Sequence, residues 1–252
     1  MKSPSRRICF LSIPTNSESQ LSYPHMISII IPALNEEKNI SKLLGSIKTR
    51  KKYEIIVSDA GSKDKTRQIA KSYGSRITKV GLPAAGKNSG AEKAKGNILL
   101  FLDADVVLPE GFIDKSIEEF SKRKLKIASF FLLPETGKLA FNVFYNFPIF
   151  LLEDILPHGA MGIMVKKDLF IKTGGFDEDI SLAEDHYFVR QAARIGKYGI
   201  IKSTRICVSS RRFKKDGWIR TGLKYFLCEL HLIFLGPDRS DRFKYNFNYL
   251  KK

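Results

Sequence analysis

Two carboxylates one residue apart, Asp103 and Asp105, end the unbroken apolar run Ile98-Leu99-Leu100-Phe101-Leu102. So close together they repel each other unless a cation lies between them, and one or two carboxylates completed by phosphate oxygens commonly hold Mg2+ or Mn2+. The plainer alternative is a polar strand end that caps the next helix. Other acids could serve as a base, since an attacking hydroxyl must pass its proton to a carboxylate or histidine within hydrogen-bond reach. Glu153-Asp154, Asp177-Glu178-Asp179 and Glu184-Asp185 compete for that role. The last pair follows Gly174-Gly175-Phe176 and opens a helical stretch over residues 184–195, although acids at a helix N-terminus are favoured by the dipole alone. His158 and His186 have no equivalent claim and read as structural or loop residues.

Gly81-Leu82-Pro83-Ala84-Ala85-Gly86-Lys87-Asn88 comes close to the phosphate-loop pattern. Asn88 replaces the hydroxyl that would ligate magnesium, and Pro83 removes an amide from the cradle, so the pattern argues against a true phosphate loop. Lys87 at a helix N-terminus can still meet a phosphate in another kind of site. No G-x-G-x-x-G occurs, which leaves a dinucleotide fold without its fingerprint. The three cysteines, Cys9, Cys207 and Cys228, are scattered without Cys-x-x-Cys spacing, so neither a disulfide framework nor a zinc site is indicated and a reducing cytoplasm fits.

The elements that must position these groups alternate. Residues 98–102 suit a strand buried on both faces, and ligands of parallel sheets gather at the strands' carboxyl ends, where Asp103 and Asp105 fall. Residues 27–32 form a β-branched strand, and Ile40, Leu43, Leu44 and Ile47 follow at helical spacing with Asn35 placed to cap. A strand over 53–57, a helix from about Asp64 to Gly74, a short strand over 77–80 and a helix over about 87–95 complete a βαβαβαβ series, which demands a parallel sheet with right-handed crossovers. Residues 1–25 read as an N-terminal extension; Ile8-Cys9-Phe10-Leu11 is too short for a signal peptide or anchor.

These residues carry a resemblance. Ile29-Ile30-Ile31-Pro32-Ala33-Leu34-Asn35-Glu36-Glu37, the stretch 55–66 with Ser58-Asp59-Ala60-Gly61-Ser62, Lys87-Asn88-Ser89-Gly90-Ala91, Leu102-Asp103-Ala104-Asp105, Gly174-Gly175-Phe176-Asp177-Glu178 and Glu184-Asp185 look like the successive motifs of family 2, GT-A-type glycosyltransferases, over roughly residues 26–200. The resemblance implies a Rossmann-like three-layer α/β/α fold with a mostly parallel central sheet, a catalytic domain over 26–215 and a basic, amphipathic segment over 216–252. It implies a hexosyltransferase that moves sugar from a UDP- or GDP-linked nucleotide-diphosphate sugar to an acceptor hydroxyl, inverting by a single in-line displacement. Pro32, Ala33, Leu34 and Glu36 would flank the base and ribose, with Ala104 and Glu184 also against substrate. Asp59 would hydrogen-bond a uracil or guanine, whose ring N–H suits an acceptor-only carboxylate. Asp105, with Asp103 assisting through ribose or water, would ligate Mn2+ or Mg2+ against the diphosphate. Lys87 would add a fixed positive charge to the leaving group, and Asp185 resembles the catalytic base. Ser58 and Ala60 depart from the family's usual acidic or glycine residues, which leaves base identity open. The basic-aromatic stretch 209–218 resembles a segment that closes over diphosphate and acceptor, making Arg211 and Arg212 candidate phosphate ligands.

A net charge of +17 calls for an anionic partner. Residues 202–252 hold thirteen Lys and Arg against four Asp and Glu, an excess of nine and about half the total. Residues 139–156 are dense in Phe and Leu but divided by Pro148, while Ile219, Leu223, Phe226, Leu227, Leu230, Ile233 and Phe234 form a helical stripe. Neither reaches the ~20 apolar residues of a membrane span. The second stripe could lie on an anionic membrane, pack against another subunit or fill the protein's own core. A lipid-linked acceptor and a peripheral place at the inner face of the membrane are compatible with this. Two rival functions are a sugar-nucleotide-forming nucleotidyltransferase, which lacks its Gly-rich first loop here, and a basic nucleic-acid-binding protein, for which no recognition motif appears and so no specific nucleic acid is expected.

Overall fold

The computed structural model describes residues 26–79, 81, 83–136, 138–180, 183–209, 227, 230–237 and 239. The extension 1–25, Arg211, Arg212 and most of 216–252 lie outside the described residues. In chain order the elements are β1 (Ile27–Ala33), α1 (Ile40–Ser46), β2 (Tyr53–Asp59), α2 (Thr66–Ser72), β3 (Arg76–Lys79), α3 (Pro83–Lys93), β4 (Ile98–Leu102), β5 (Val106–Val107), α4 (Phe112–Lys122) and β6 (Ile127–Pro134). A short helical segment follows, made of α5 (Lys138–Phe141), a π turn (Asn142–Asn146) and α6 (Phe147–Leu151), and then β7 (Gly162–Lys166), α7 (Lys167–Thr173), α8 (Glu184–Ala193) and β8 (Tyr198–Val208).

The strands make one sheet in the order β3-β2-β1-β4-β7-β6-β8-β5. Its first four are parallel, as the β-branched runs and intervening helices require, with Ala33 in register with Asp59 and Ile30 with Phe101. Beyond β4 the sheet mixes: β7 runs antiparallel to both β4 and β6, β8 is parallel to β6, and β5 closes the far edge antiparallel to β8. Alternate residues of each inner strand feed opposite faces. Ile29, Ile31, Leu100 and Leu102 pack with α1, α2 and α4, while Ile30, Leu99 and Phe101 pack with α3, α7 and α8. This is a three-layer α/β/α arrangement.

Two local expectations are corrected. Asn35 does not cap α1, which begins at Ile40 after Asn39; with φ of 54° it instead accepts a hydrogen bond from the Lys63 N–H through Oδ1. The third helix starts at Pro83, ahead of its expected start, because a proline's fixed φ suits the first helical turn where its missing N–H costs nothing. Lys87 therefore stands one turn inside the helix, and the near-phosphate-loop stretch is mostly helix. Among the described residues no helix is long and apolar enough to cross a membrane.

Candidate active site

The sheet order reverses between β1 and β4: β2 and β3 lie to one side of β1, and β4 leads away on the other. Ligand crevices of open α/β sheets form outside the carboxyl ends of the strands at such a point. Two loops build its first wall. Asn35 N–H donates to Ser62 Oγ at 2.9 Å, Glu36 N–H to Thr66 Oγ1 at 2.8 Å and Glu37 N–H to Asp64 Oδ2 at 3.1 Å, so the turn after β1 is stitched to the turn after β2. Pro32 and Ala33 end β1, and Leu34 and Glu36 lie half-buried in that stitched turn.

Asp59 ends β2 in this wall. It is fully enclosed, its carboxylate accepts from the Gly61 N–H at 3.1 Å and the Ser62 N–H at 3.1 Å, and Arg67 Nε lies 3.5 Å away. These contacts hold the turn after β2 in shape.

Asp103 and Asp105 follow β4 at the neighbouring strand end, with the buried Ala104 between them and the Asp103 N–H bonded to the Met161 carbonyl at 3.2 Å. From the other side α3 brings Lys87 and α8 brings Glu184 and Asp185. The Lys87 side chain is 4% exposed, its ammonium lies 3.0 Å from Glu184 Oε1, contacts Asp185 Oδ1 directly and stands 5.1 Å from the centroid of the Phe176 ring. Residues 97 and 98 positions apart in the chain are thus brought together in one ion cluster.

The electrostatics are those of three carboxylates, Asp185, Glu184 and Asp103, around one buried cation, with Asp105 acting on Asp103. Burial alone would lower the Lys87 pKa, but Asp185, Glu184 and Asp103 raise it well above the ordinary lysine value. Asp103 is pushed up to about 7, first by burial and then by the charges of Asp185 and Asp105, with Lys87 opposing. Asp185 is likewise raised, by burial and by Glu184 against the pull of Lys87. In Glu184 burial is outweighed by Lys87, and its pKa is lowered.

Such an excess of hard oxygen donors fits a divalent cation. A divalent cation held between Asp103 and Asp105 would take its remaining oxygens from substrate, as is usual for Mg2+; among the described residues no group of three or more His, Cys, Asp or Glu is placed to hold one alone. Three of the four non-glycine residues with positive φ among those described, Asn35, Met161 and Ala183, adjoin the first wall, Asp103 and Glu184 respectively. Strained backbone of this kind concentrates at functional sites.

Asn88 and the two histidines take part through contacts that span the chain. Asn88 is buried, donates to the Phe176 carbonyl and to Glu178 Oε1, both at 2.8 Å, and accepts from the Phe176 N–H at 2.9 Å. It thereby ties α3 to the chain leading to α8, and a Cβ on Gly175 would lie 2.7 Å from its Oδ1. His158 and His186 stack edge to face at 4.1 Å, with the Tyr145 hydroxyl 3.0 Å from His158 Nε2. Two of the other candidate acids make structural contacts. Glu153 serves Arg123, Lys202 and the Ile200 N–H, and Asp177 pairs with Arg239 at 2.7 Å.

The sequence profile of glycosyl transferase family 2 matches residues 28–166. Glycosyltransferase AglE of Haloferax volcanii is 25% identical over 190 residues, covering 68% of this chain and 62% of that protein. The 4,4'-diaponeurosporenoate glycosyltransferase of Staphylococcus haemolyticus is 36% identical over 111 residues, 40% of this chain and 30% of that protein. Among solved structures, Staphylococcus aureus TarS in complex with UDP-GlcNAc superposes with a TM-score of 0.59 at 20% identity, covering 73% of this chain and 58% of that one. The mannosyltransferase PcManGT of Pyrobaculum calidifontis, in complex with GDP-Man and Mn2+, gives 0.58 at 22% identity, covering 75% and 57%. At these identities the structures show a shared fold. The chain spans less than two thirds of the length of these curated relatives.

Proposed function

The chain belongs to glycosyltransferase family 2, and from that premise we propose that it transfers a hexosyl group from a UDP- or GDP-linked donor to an acceptor hydroxyl with inversion. The observation that carries this is the Glu184–Asp185 pair, anchored on Lys87 and close enough to the β4 strand end for Asp185 to raise the pKa of Asp103. The acceptor oxygen attacks the anomeric carbon, the bond from that carbon to the β-phosphate oxygen breaks, and the nucleoside diphosphate leaves from the opposite side. Asp185 takes the acceptor's proton. Its raised pKa makes it a stronger base than an ordinary aspartate, and Lys87 keeps it ionised and oriented. Glu184 shares that lysine and lines the acceptor side.

Pro32, Ala33, Leu34 and Glu36 flank the nucleoside in this proposal, and Asp59 hydrogen-bonds the ring N–H of its uracil or guanine. Asp103 and Asp105 are the residues that would hold Mn2+ or Mg2+, which when bound stabilises negative charge on the departing diphosphate. The Mn2+ and GDP-Man of the mannosyltransferase with the same fold support that assignment. Arg211 and Arg212 are proposed phosphate ligands. The acceptor is proposed to be lipid-linked, with the enzyme peripheral at the cytoplasmic face of an anionic membrane; the support is the charge of residues 202–252 and the similarity to a 4,4'-diaponeurosporenoate glycosyltransferase.

The test is a hydrolysis and transfer screen of UDP-, GDP- and dTDP-sugars with Mn2+, Mg2+ or EDTA. Turnover of a UDP- or GDP-sugar that EDTA abolishes is expected. Asp105→Ala should lose turnover together with the Mn2+-dependent gain in nucleotide binding, and equal binding with and without EDTA in the wild type would refute the metal assignment.

A further inference from the structure

Between Leu139 and Ile155 the chain carries an apolar stripe that faces away from the core. Leu139, Val143, Phe147 and Leu151 recur every fourth residue along the helical segment, the spacing that stacks side chains on one face, Ile155 follows in the turn after α6, and the five are 79, 49, 56, 61 and 80% exposed. A surface helix normally turns such a stripe inward. Here the inward side is already taken: Phe141 is buried, Tyr145 packs on the core, and the Asn146 side chain donates to the Leu132 carbonyl at 2.8 Å while accepting from the Leu132 N–H at 3.2 Å. That clip fixes the segment's rotation, so the stripe cannot roll into the core. Contiguous exposed apolar surface of this kind marks an interaction site.

Charge identifies the occupant. The stripe is bordered by Lys202, whose ammonium stands 4.8 Å from the Phe150 ring centroid, and by Arg205, whose guanidinium reaches Asn142 Oδ1 at 3.2 Å. Glu153 is turned inward to Arg123 and Lys202, Asp154 is the one exposed acid between positions 139 and 155, and the chain as a whole carries +17. A second copy of this chain would bring like charge to like charge, whereas an apolar face edged with Lys and Arg matches the interface of an anionic bilayer. We propose that the 139–155 stripe seats the protein on an anionic membrane, with the helical segment lying in the interfacial plane. The same segment leads to the site: Tyr145 touches His158, and His158 packs on His186 beside Asp185. A membrane-borne acceptor would thus arrive on the side where the acid pair stands. This last step rests on the transferase function proposed above; bilayer seating does not.

Flotation of the full chain with phosphatidylcholine vesicles, with and without phosphatidylglycerol, at low and high salt, tests the proposal. Binding to the anionic vesicles is expected, with a part that survives high salt. Phe147→Glu/Leu151→Glu should remove that part, lowering partitioning by roughly tenfold or more per side chain, while donor hydrolysis and thermal midpoint hold. Leu139→Glu/Ile155→Glu, at the two ends of the stripe, should behave likewise. Wild-type partitioning by both variants would overturn the proposal, as would a wild-type dimer that these substitutions dissociate. Vesicle binding without hydrolysis of any donor would sink the transferase assignment and leave the docking surface standing. Hydrolysis without vesicle binding would do the reverse.

Discussion

A lysine ammonium enclosed to 4% exposure and in contact with two carboxylates cannot lose its proton without leaving both acids buried and unpaired. Lys87 therefore acts as a fixed charge, and its work is to hold Asp185 ionised in a place where burial favours the neutral acid. Asp185→Asn keeps the size and removes the proposed base; turnover should fall by about 100- to 10,000-fold with nucleotide affinity little changed. Full activity in that variant would move the base elsewhere. Lys87→Gln removes the charge that depresses the Asp185 pKa, so the base stays protonated to higher pH and the acidic limb of kcat/KM should shift upward. An unmoved limb would mean that Asp185 is not the titrating group. The spacing of Asp103 and Asp105 and the Glu184-Asp185 pair were legible because each is a local pattern. The partner of Lys87 was not, since it lies 97 and 98 residues away and nothing near position 87 records it.

At the scale of elements, α3 reaches its place because Gly90 lets it approach the sheet. A Cβ there would sit 2.4 Å from Ile30 Cγ2 and 3.0 Å from Ser58 Oγ. Gly90→Ala should push α3 away from β1 and β2, costing about 1–3 kcal/mol as overpacked cores do; a lowered denaturation midpoint with reduced turnover is the expected outcome, and an unchanged midpoint would contradict the packing. The end of the helical segment is tied to β8 and α4 through Glu153. Burial would raise its pKa, but the Ile200 N–H, Lys202 and Arg123 together lower it below the ordinary glutamate value. A lowered carboxyl pKa stabilises the fold above the unfolded value of 4.5, and that contribution fades as pH falls through the folded pKa. Glu153→Gln should therefore cost about 1–3 kcal/mol at neutral pH, with the gap from wild type closing below pH 4.5 in urea titrations followed by fluorescence. A gap independent of pH would assign the loss to packing instead. The first four strands were readable from their β-branched runs between helical spacings. The antiparallel β7 and the parallel β6–β8 pair were not, because strand direction beyond β4 depends on long connections that carry no periodic pattern.

For the whole molecule, the charge of +17 sits on a fold whose two apolar layers are filled from both faces of one sheet, so the charge speaks to partners and not to the fold. A diphosphate donor is a small anion held by specific contacts, whereas a nucleic acid would engage the basic excess of residues 202–252 phosphate by phosphate. The two differ in their response to salt. A protein making about six to ten phosphate contacts loses roughly a thousandfold or more in affinity between about 50 and 200 mM salt, because each contact releases condensed counterions. The donor has only two phosphates, so its KM should rise by a much smaller factor over the same range, while kcat, which reports steps after binding, stays level. Duplex DNA should then compete with the donor at low salt and stop competing near physiological salt, without sequence preference. Competition that persists there, or that depends on DNA sequence, would assign the basic surface to nucleic acid and leave the transferase site to explain on its own why so cationic a chain is needed.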